Sequence, residues 1–95
     1  MQIEITEKAL QDLENLDNYL LARWNNKVLL DFYKKLETIL DNIQSGFIIY
    51  QNTEDKRYSK VLITKHNTLI YNKSEEKITI IRVINNFQSD ENKRY

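Results

Sequence analysis

From Ala9 to Leu20, apolar residues recur with gaps of four, three and four: Ala9, Leu13, Leu16, Leu20. Leu10, Tyr19 and Trp24 widen that stripe, while Gln11, Asp12, Glu14, Asn15 and Asn18 are left for water. The spacing predicts an amphipathic helix. Thr6 stands where an N-cap belongs, Glu7 complements the helix dipole in the first turn, and Asn25-Asn26 breaks the pattern. Leu29, Phe32, Leu36, Ile39 and Ile43 then repeat the rhythm with gaps of three, four, three and four, predicting a second helix from about Lys27 to Ser45. Gly46 follows at the position where a left-handed stop is favoured. Two helices joined by so short a turn must lie antiparallel, and neither can bury its stripe fully against the other.

The period changes beyond Arg57. Arg57–Thr64, Thr68–Tyr71 and Ile78–Ile84 are rich in Ile, Val, Thr and Tyr and are separated by the polar turns Lys65-His66-Asn67 and Asn72–Lys77. They predict three strands in an antiparallel meander. The third carries Ile78, Ile80 and Ile84 on one alternation and Ile81 and Val83 on the other, so it is expected to be central, with both faces at least partly covered. Gln2–Ile5 alternates and predicts a first strand. Phe47–Tyr50 reads as a packed connector, Gln51–Lys56 as a polar loop and Gln88–Tyr95 as a frayed tail. The order β-α-α-β-β-β predicts one α+β domain over 1–95, with a helical hairpin packed on one face of a small antiparallel sheet. The opposite face is expected to be concave and open.

Composition narrows the chemistry. No cysteine and one histidine in 95 residues exclude a disulfide framework and argue against a zinc site, and no cofactor is expected. The N-terminus lacks an apolar leader-like run, so the cytosol is the expected location. Net charge is zero, but residues 56–82 hold seven basic side chains against two acidic ones. Such a local basic surface fits either a negatively charged partner or a lysine-protected sheet edge.

The order of elements and the segment KRYSKVLITKHNTLIYNKSEEKITIIRV, with Asn85-Asn86-Phe87-Gln88 after it, resemble the RelE/ParE superfamily of bacterial type II toxins. The features shared with that superfamily are a basic residue opening the first meander strand (Arg57), a hydrophobic-hydrophobic-Tyr triplet (Leu69-Ile70-Tyr71) and an acidic turn (Glu75-Glu76). The resemblance implies a growth-inhibiting toxin neutralised by a cognate antitoxin, acting either on DNA gyrase without catalysis, as ParE-like members do, or on ribosome-bound mRNA as a RelE-like endonuclease. A degenerate toxin that retains only antitoxin binding is a third reading. Nuclease relatives commonly carry Arg before the triplet, where this chain has Thr68, and a basic residue after the last strand, where it has Phe87 and Gln88. Those departures favour the non-catalytic mode.

Metal-free RNA cleavage needs a base, an acid and cations for the phosphorane charge. If the chain were a nuclease, the candidates would be Arg57, Arg82, His66 and Tyr95, with Lys60 and Lys65 binding target or RNA. Each has an ordinary alternative. Arg57 can pair Glu54 or Asp55, His66 can simply occupy a turn, and Arg82 can pair an acid from a helix. Tyr19, Leu21 and Tyr33 on the hairpin's outer surface are candidates for antitoxin contact, whereas Trp24 is expected to pack beneath the Gln51–Lys56 loop.

Overall fold

A computed structural model describes residues 2–46 and 57–86. Strand β1 (Gln2–Ile5) leads into helix α1 (Glu7–Arg23), helix α2 (Asn26–Ser45) and strands β2 (Ser59–Thr64), β3 (Asn67–Lys73) and β4 (Lys77–Asn85). The α+β order is the expected one. The connector, polar loop and tail lie outside the described residues, as does Tyr95.

Both helices begin at caps legible in the sequence. Thr6 Oγ1 accepts from the Ala9 N–H at 3.0 Å, and Asn25 Oδ1 accepts from the Val28 N–H at 3.0 Å. Gly46 ends α2 at φ 71°, a left-handed conformation that costs a side-chain-bearing residue free energy. The buried stripe of α1 is Ala9, Leu13, Leu16 and Leu20, as its spacing predicts. That of α2 is Phe32, Leu36, Leu40 and Ile43. Leu29 and Ile39 are only partly buried, because they flank the stripe on either side of the line that faces the sheet. Tyr33 of α2 meets Asp17 of α1, which fixes the two helices as an antiparallel hairpin.

The sheet runs β1-β4-β3-β2, so β4 is central as expected. It is mixed rather than wholly antiparallel: β1 pairs β4 in parallel, Gln2 with Lys77 through Ile5 with Ile80, and the meander pairs are antiparallel. The hairpin intervening between β1 and the rest lets the first strand return alongside the last in the same direction.

The alternation read along β4 also needs correction. Tyr71 is in register with Ile80 but Ile70 with Arg82, which leaves Ile81 as an extra residue. This bulge reverses the facing of everything after it. Ile78, Ile80 and Val83 therefore join the core beneath the helices with Leu69 and Tyr71, and Ile84 moves to the other side. Among the described residues, Leu69, Ile78 and Ile80 are the largest side chains fully removed from solvent.

The far side of the sheet is less open than its pattern suggests. Ile70 and Ile84 are only 4% and 7% exposed, and Thr68 is buried beside them, although none belongs to the cluster beneath the helices. In register, Ile70 lies between Lys60 and Arg82, and Thr68 lies between Leu62 and Ile84, so longer neighbours flank the centre of this face. Leu62, on edge strand β2, remains 59% exposed.

Candidate functional site

The sequence-predicted cations do not converge. Arg57 is exposed just before β2, with its guanidinium carbon 5.4 Å from the Tyr58 ring centroid and its carbonyl accepting from Asn72 Nδ2 at 2.7 Å. Lys60 is half-buried on the far face, in register with Ile70, and Lys65 is exposed in the β2–β3 turn.

Arg82 is engaged. Its Nε and Nη2 donate to the two carboxylate oxygens of Asp12 at 2.7 and 3.1 Å, a fork-to-fork pair between β4 and α1. β1 ends opposite Ile80, so β4 has a bare edge at this point, and the arginine crosses it to reach the helix. The Val83 N–H on the same edge donates to Asp12 Oδ2 at 3.1 Å, and Thr6 Oγ1 donates to the Ile81 carbonyl at 2.9 Å. Two side chains of the β1–α1 segment thus take over hydrogen bonds that a longer β1 would have made. The paired carboxylate holds Arg82 protonated above the usual guanidinium range, against a smaller opposing effect of burial.

Thr68, where an arginine is common in nuclease relatives, exchanges hydrogen bonds with the Asn86 side chain at 3.1 and 3.2 Å. His66 is half-buried; its backbone N–H donates to Thr64 Oγ1 at 3.1 Å and its carbonyl accepts from the Asn86 N–H at 2.6 Å. That turn is tied to the end of β4.

The topology brings His66 together with residues that the sequence reading had assigned to a separate surface. A cavity of about 320 Å³ lies where the α1–α2 turn meets the β2–β3 turn. Tyr19, Trp24 and Phe32 form its aromatic wall, and Asp31, Lys35, His66, Asn67 and Asn85 bring polar groups to it. Trp24 is 64% exposed, and the Gln51–Lys56 loop expected to cover it lies outside the described residues.

Of the other hairpin candidates, Tyr19 is half-buried with the Arg23 guanidinium 5.7 Å from its ring centroid, and Leu21 is exposed. Leu30, also exposed on α2, was missed because it falls outside the α2 stripe. Tyr33 donates its hydroxyl to Asp17 at 2.6 Å. Burial, then that hydrogen bond, then the Asp17 charge raise the phenol above its ordinary range.

Asn67 is the other residue the sequence reading passed over. It is 5% exposed, at the start of β3 and on the wall of the cavity. The signal available was a polar residue directly preceding the apolar run of β3, too common at strand ends to single out. No group of His, Cys, Asp and Glu suited to hold a metal occurs among the described residues. No helix among them is long and apolar enough to cross a membrane.

Comparison with known proteins gives a consistent answer. The family model of the ParE toxin of type II toxin–antitoxin systems matches residues 3–86. The chain's fold is similar to that of a solved chain of the chromosomal ParDE system of P. aeruginosa, at TM-score 0.70 and 14% identity, covering 90% of this chain and 95% of that one. It is also similar to a chain of the YoeB–YefM complex of Staphylococcus aureus, at TM-score 0.62 and 18% identity, covering 87% and 93%. A chain of the DinJ–YafQ complex of E. coli aligns at TM-score 0.58 and 13% identity, covering 88% and 91%. No curated protein sequence matches significantly.

Proposed function

The chain belongs to the ParE toxin family of type II toxin–antitoxin systems, and from that premise we propose that it arrests growth by inhibiting DNA gyrase without catalysis when its cognate antitoxin is missing. The observation that carries this reading is the engagement of Arg82. A nuclease would need this cation turned toward a scissile phosphate, whereas here both of its forked donors are taken by Asp12.

Two further features support the same reading. Thr68 presents a hydroxyl tied to Asn86 where a phosphate-binding arginine would serve a nuclease. His66, the one histidine of the chain, lines a cavity with Leu16 and Phe32 on the helix side, while Lys60 is on the opposite face of the sheet. A base and its phosphate-binding cations must converge on one substrate atom set, and these do not. The cognate antitoxin is assigned to the exposed apolar residues of the hairpin, Leu21 and Leu30 in particular.

The test is expression of the chain without an antitoxin. Growth arrest with DNA-damage signalling and intact translated mRNA is expected, together with loss of gyrase supercoiling when the purified chain is added in vitro. In-frame cleavage of translated mRNA after induction would replace this reading with the endonuclease one, and unimpaired growth would leave a protein that only binds its antitoxin.

A further inference from the structure

The cavity between the two turns has a polar feature that the proposed gyrase reading does not use. Thr64 Oγ1 accepts from the His66 N–H at 3.1 Å, so its own proton goes to Asn67 Oδ1, 2.8 Å away. This fixes the orientation of the Asn67 amide, with the oxygen engaged and the NH₂ end outward. Among the described residues every buried side-chain polar atom has a partner and the Asn67 Nδ2 has none, so this nitrogen is not sealed from solvent, and Asn67 lines the cavity. Asp31 and Lys35, one helical turn apart at the same cavity, make no ion pair among the described residues.

These groups select among ligands. An apolar guest would cover the amide donor and leave it unsatisfied, so the guest must carry an acceptor. The wall of Tyr19, Trp24 and Phe32 favours a planar ring. Asp31 calls for a donor on that ring and disfavours a simple aromatic acid, while Lys35 offers a cation to an anionic substituent. A nucleobase supplies acceptor and donor on one planar edge, and its phosphate supplies the anion. The volume, about 320 Å³, is at the small end of small-molecule sites. We propose that this cavity binds a free mononucleotide, with the base stacked on Trp24 and read by the Asn67 amide and Asp31, and the phosphate held by Lys35.

Trp24 is the only tryptophan in the chain, so its fluorescence reports on the cavity directly. The purified chain is titrated with AMP, GMP, CMP and UMP, with the matching nucleosides, with ribose 5-phosphate, with a single-stranded oligonucleotide and with N-acetyltryptophanamide as a side-chain mimic, the last followed by ligand-observed NMR because it fluoresces itself. At least one monophosphate is expected to quench saturably. Asn67→Asp keeps the acceptor that Thr64 needs but removes the donor, and should weaken that nucleotide at least about tenfold. Lys35→Gln, on the surface of α2, should weaken the monophosphate about fivefold and leave its nucleoside unchanged.

The proposal is overturned if no monophosphate quenches, if ribose 5-phosphate competes as well as the nucleotide, or if only the oligonucleotide or only the tryptophan mimic binds. It also fails if folded Asn67→Asp binds like the parent. Should that variant not fold, Lys35→Gln decides by itself, and equal monophosphate affinity sinks the proposal. The assay involves neither gyrase nor growth, so its failure is distinguishable from failure of the gyrase reading.

Discussion

Asp12 and Arg82 are separated by seventy positions in sequence and joined by two hydrogen bonds, at 2.7 and 3.1 Å. The carboxylate also accepts from the Val83 backbone at 3.1 Å, so one side chain both pairs a cation and closes the strand edge that β1 leaves bare. Asp12→Ala removes both functions and leaves a guanidinium and a backbone N–H without their acceptor. The side chains are 13% and 28% exposed, so water recovers part of the loss. The expected destabilisation is about 2–3 kcal/mol. Asp12→Asn retains one acceptor for Val83 and should lose less. Urea unfolding of the two variants checks the order, and a double-mutant cycle with Arg82→Ala isolates the pair.

Thr6 and Asn25 are both N-caps, but they are not equivalent. Asn25 serves only its own helix among the described contacts, and Asn25→Ala should cost about 1 kcal/mol. Thr6 accepts from Ala9 and donates to the Ile81 carbonyl beside the β4 bulge, joining the start of α1 to the sheet. Thr6→Ala should therefore cost about 2 kcal/mol, roughly twice as much. Thr6→Ser keeps both bonds and should recover most of it. Thermal denaturation of the three variants, compared at one pH, tests the ranking.

Gly46 bears on the end of α2 in a way a clash argument would miss. A methyl group built there meets nothing within 4 Å, yet φ is +71°. Gly46→Ala should still destabilise by about 1 kcal/mol, through backbone conformation alone, and Gly46→Asn by less. Equal stability of the alanine variant in chemical denaturation would show that the helix end relaxes.

What the sequence made legible, and what it did not, follows from the range of each interaction. Helix spacing, caps and the glycine stop are local, and the quartet Ala9, Leu13, Leu16, Leu20 is buried as its gaps require. The strands were found but some ends shifted: β2 begins at Ser59 rather than Arg57, and β3 extends from Thr68–Tyr71 to Asn67–Lys73, because Asn67 and Asn72 pair in the ladder despite their poor strand propensity. The bulge at Ile81 was hidden because Ile-Ile-Arg-Val offers apolar residues to either face, and only pairing with β3 decides which turns inward. The parallel return of β1 and the Asp12–Arg82 pair depend on contacts across nearly the whole chain. His66, Trp24 and Tyr19 each looked ordinary along the sequence. Only the meeting of two turns makes them walls of one cavity.

Tyr33 gives the fold a pH limit on the alkaline side. Its phenol is raised from 10.0 by burial first and then by the Asp17 hydrogen bond and charge, so the folded state holds the neutral form more tightly than the unfolded chain does. Below pH 10 both states are neutral at this residue and its contribution is fully present. As pH rises past that point the unfolded chain loses the proton while the native phenol keeps it, and stability falls. Tyr33→Phe removes the hydrogen bond to Asp17 and should cost about 1–2 kcal/mol at neutral pH. The same variant should flatten the alkaline decline, so that parent and variant converge above pH 10. Urea midpoints measured across that range for both proteins test this, and parallel curves would show that the other tyrosines, not Tyr33, govern the alkaline loss.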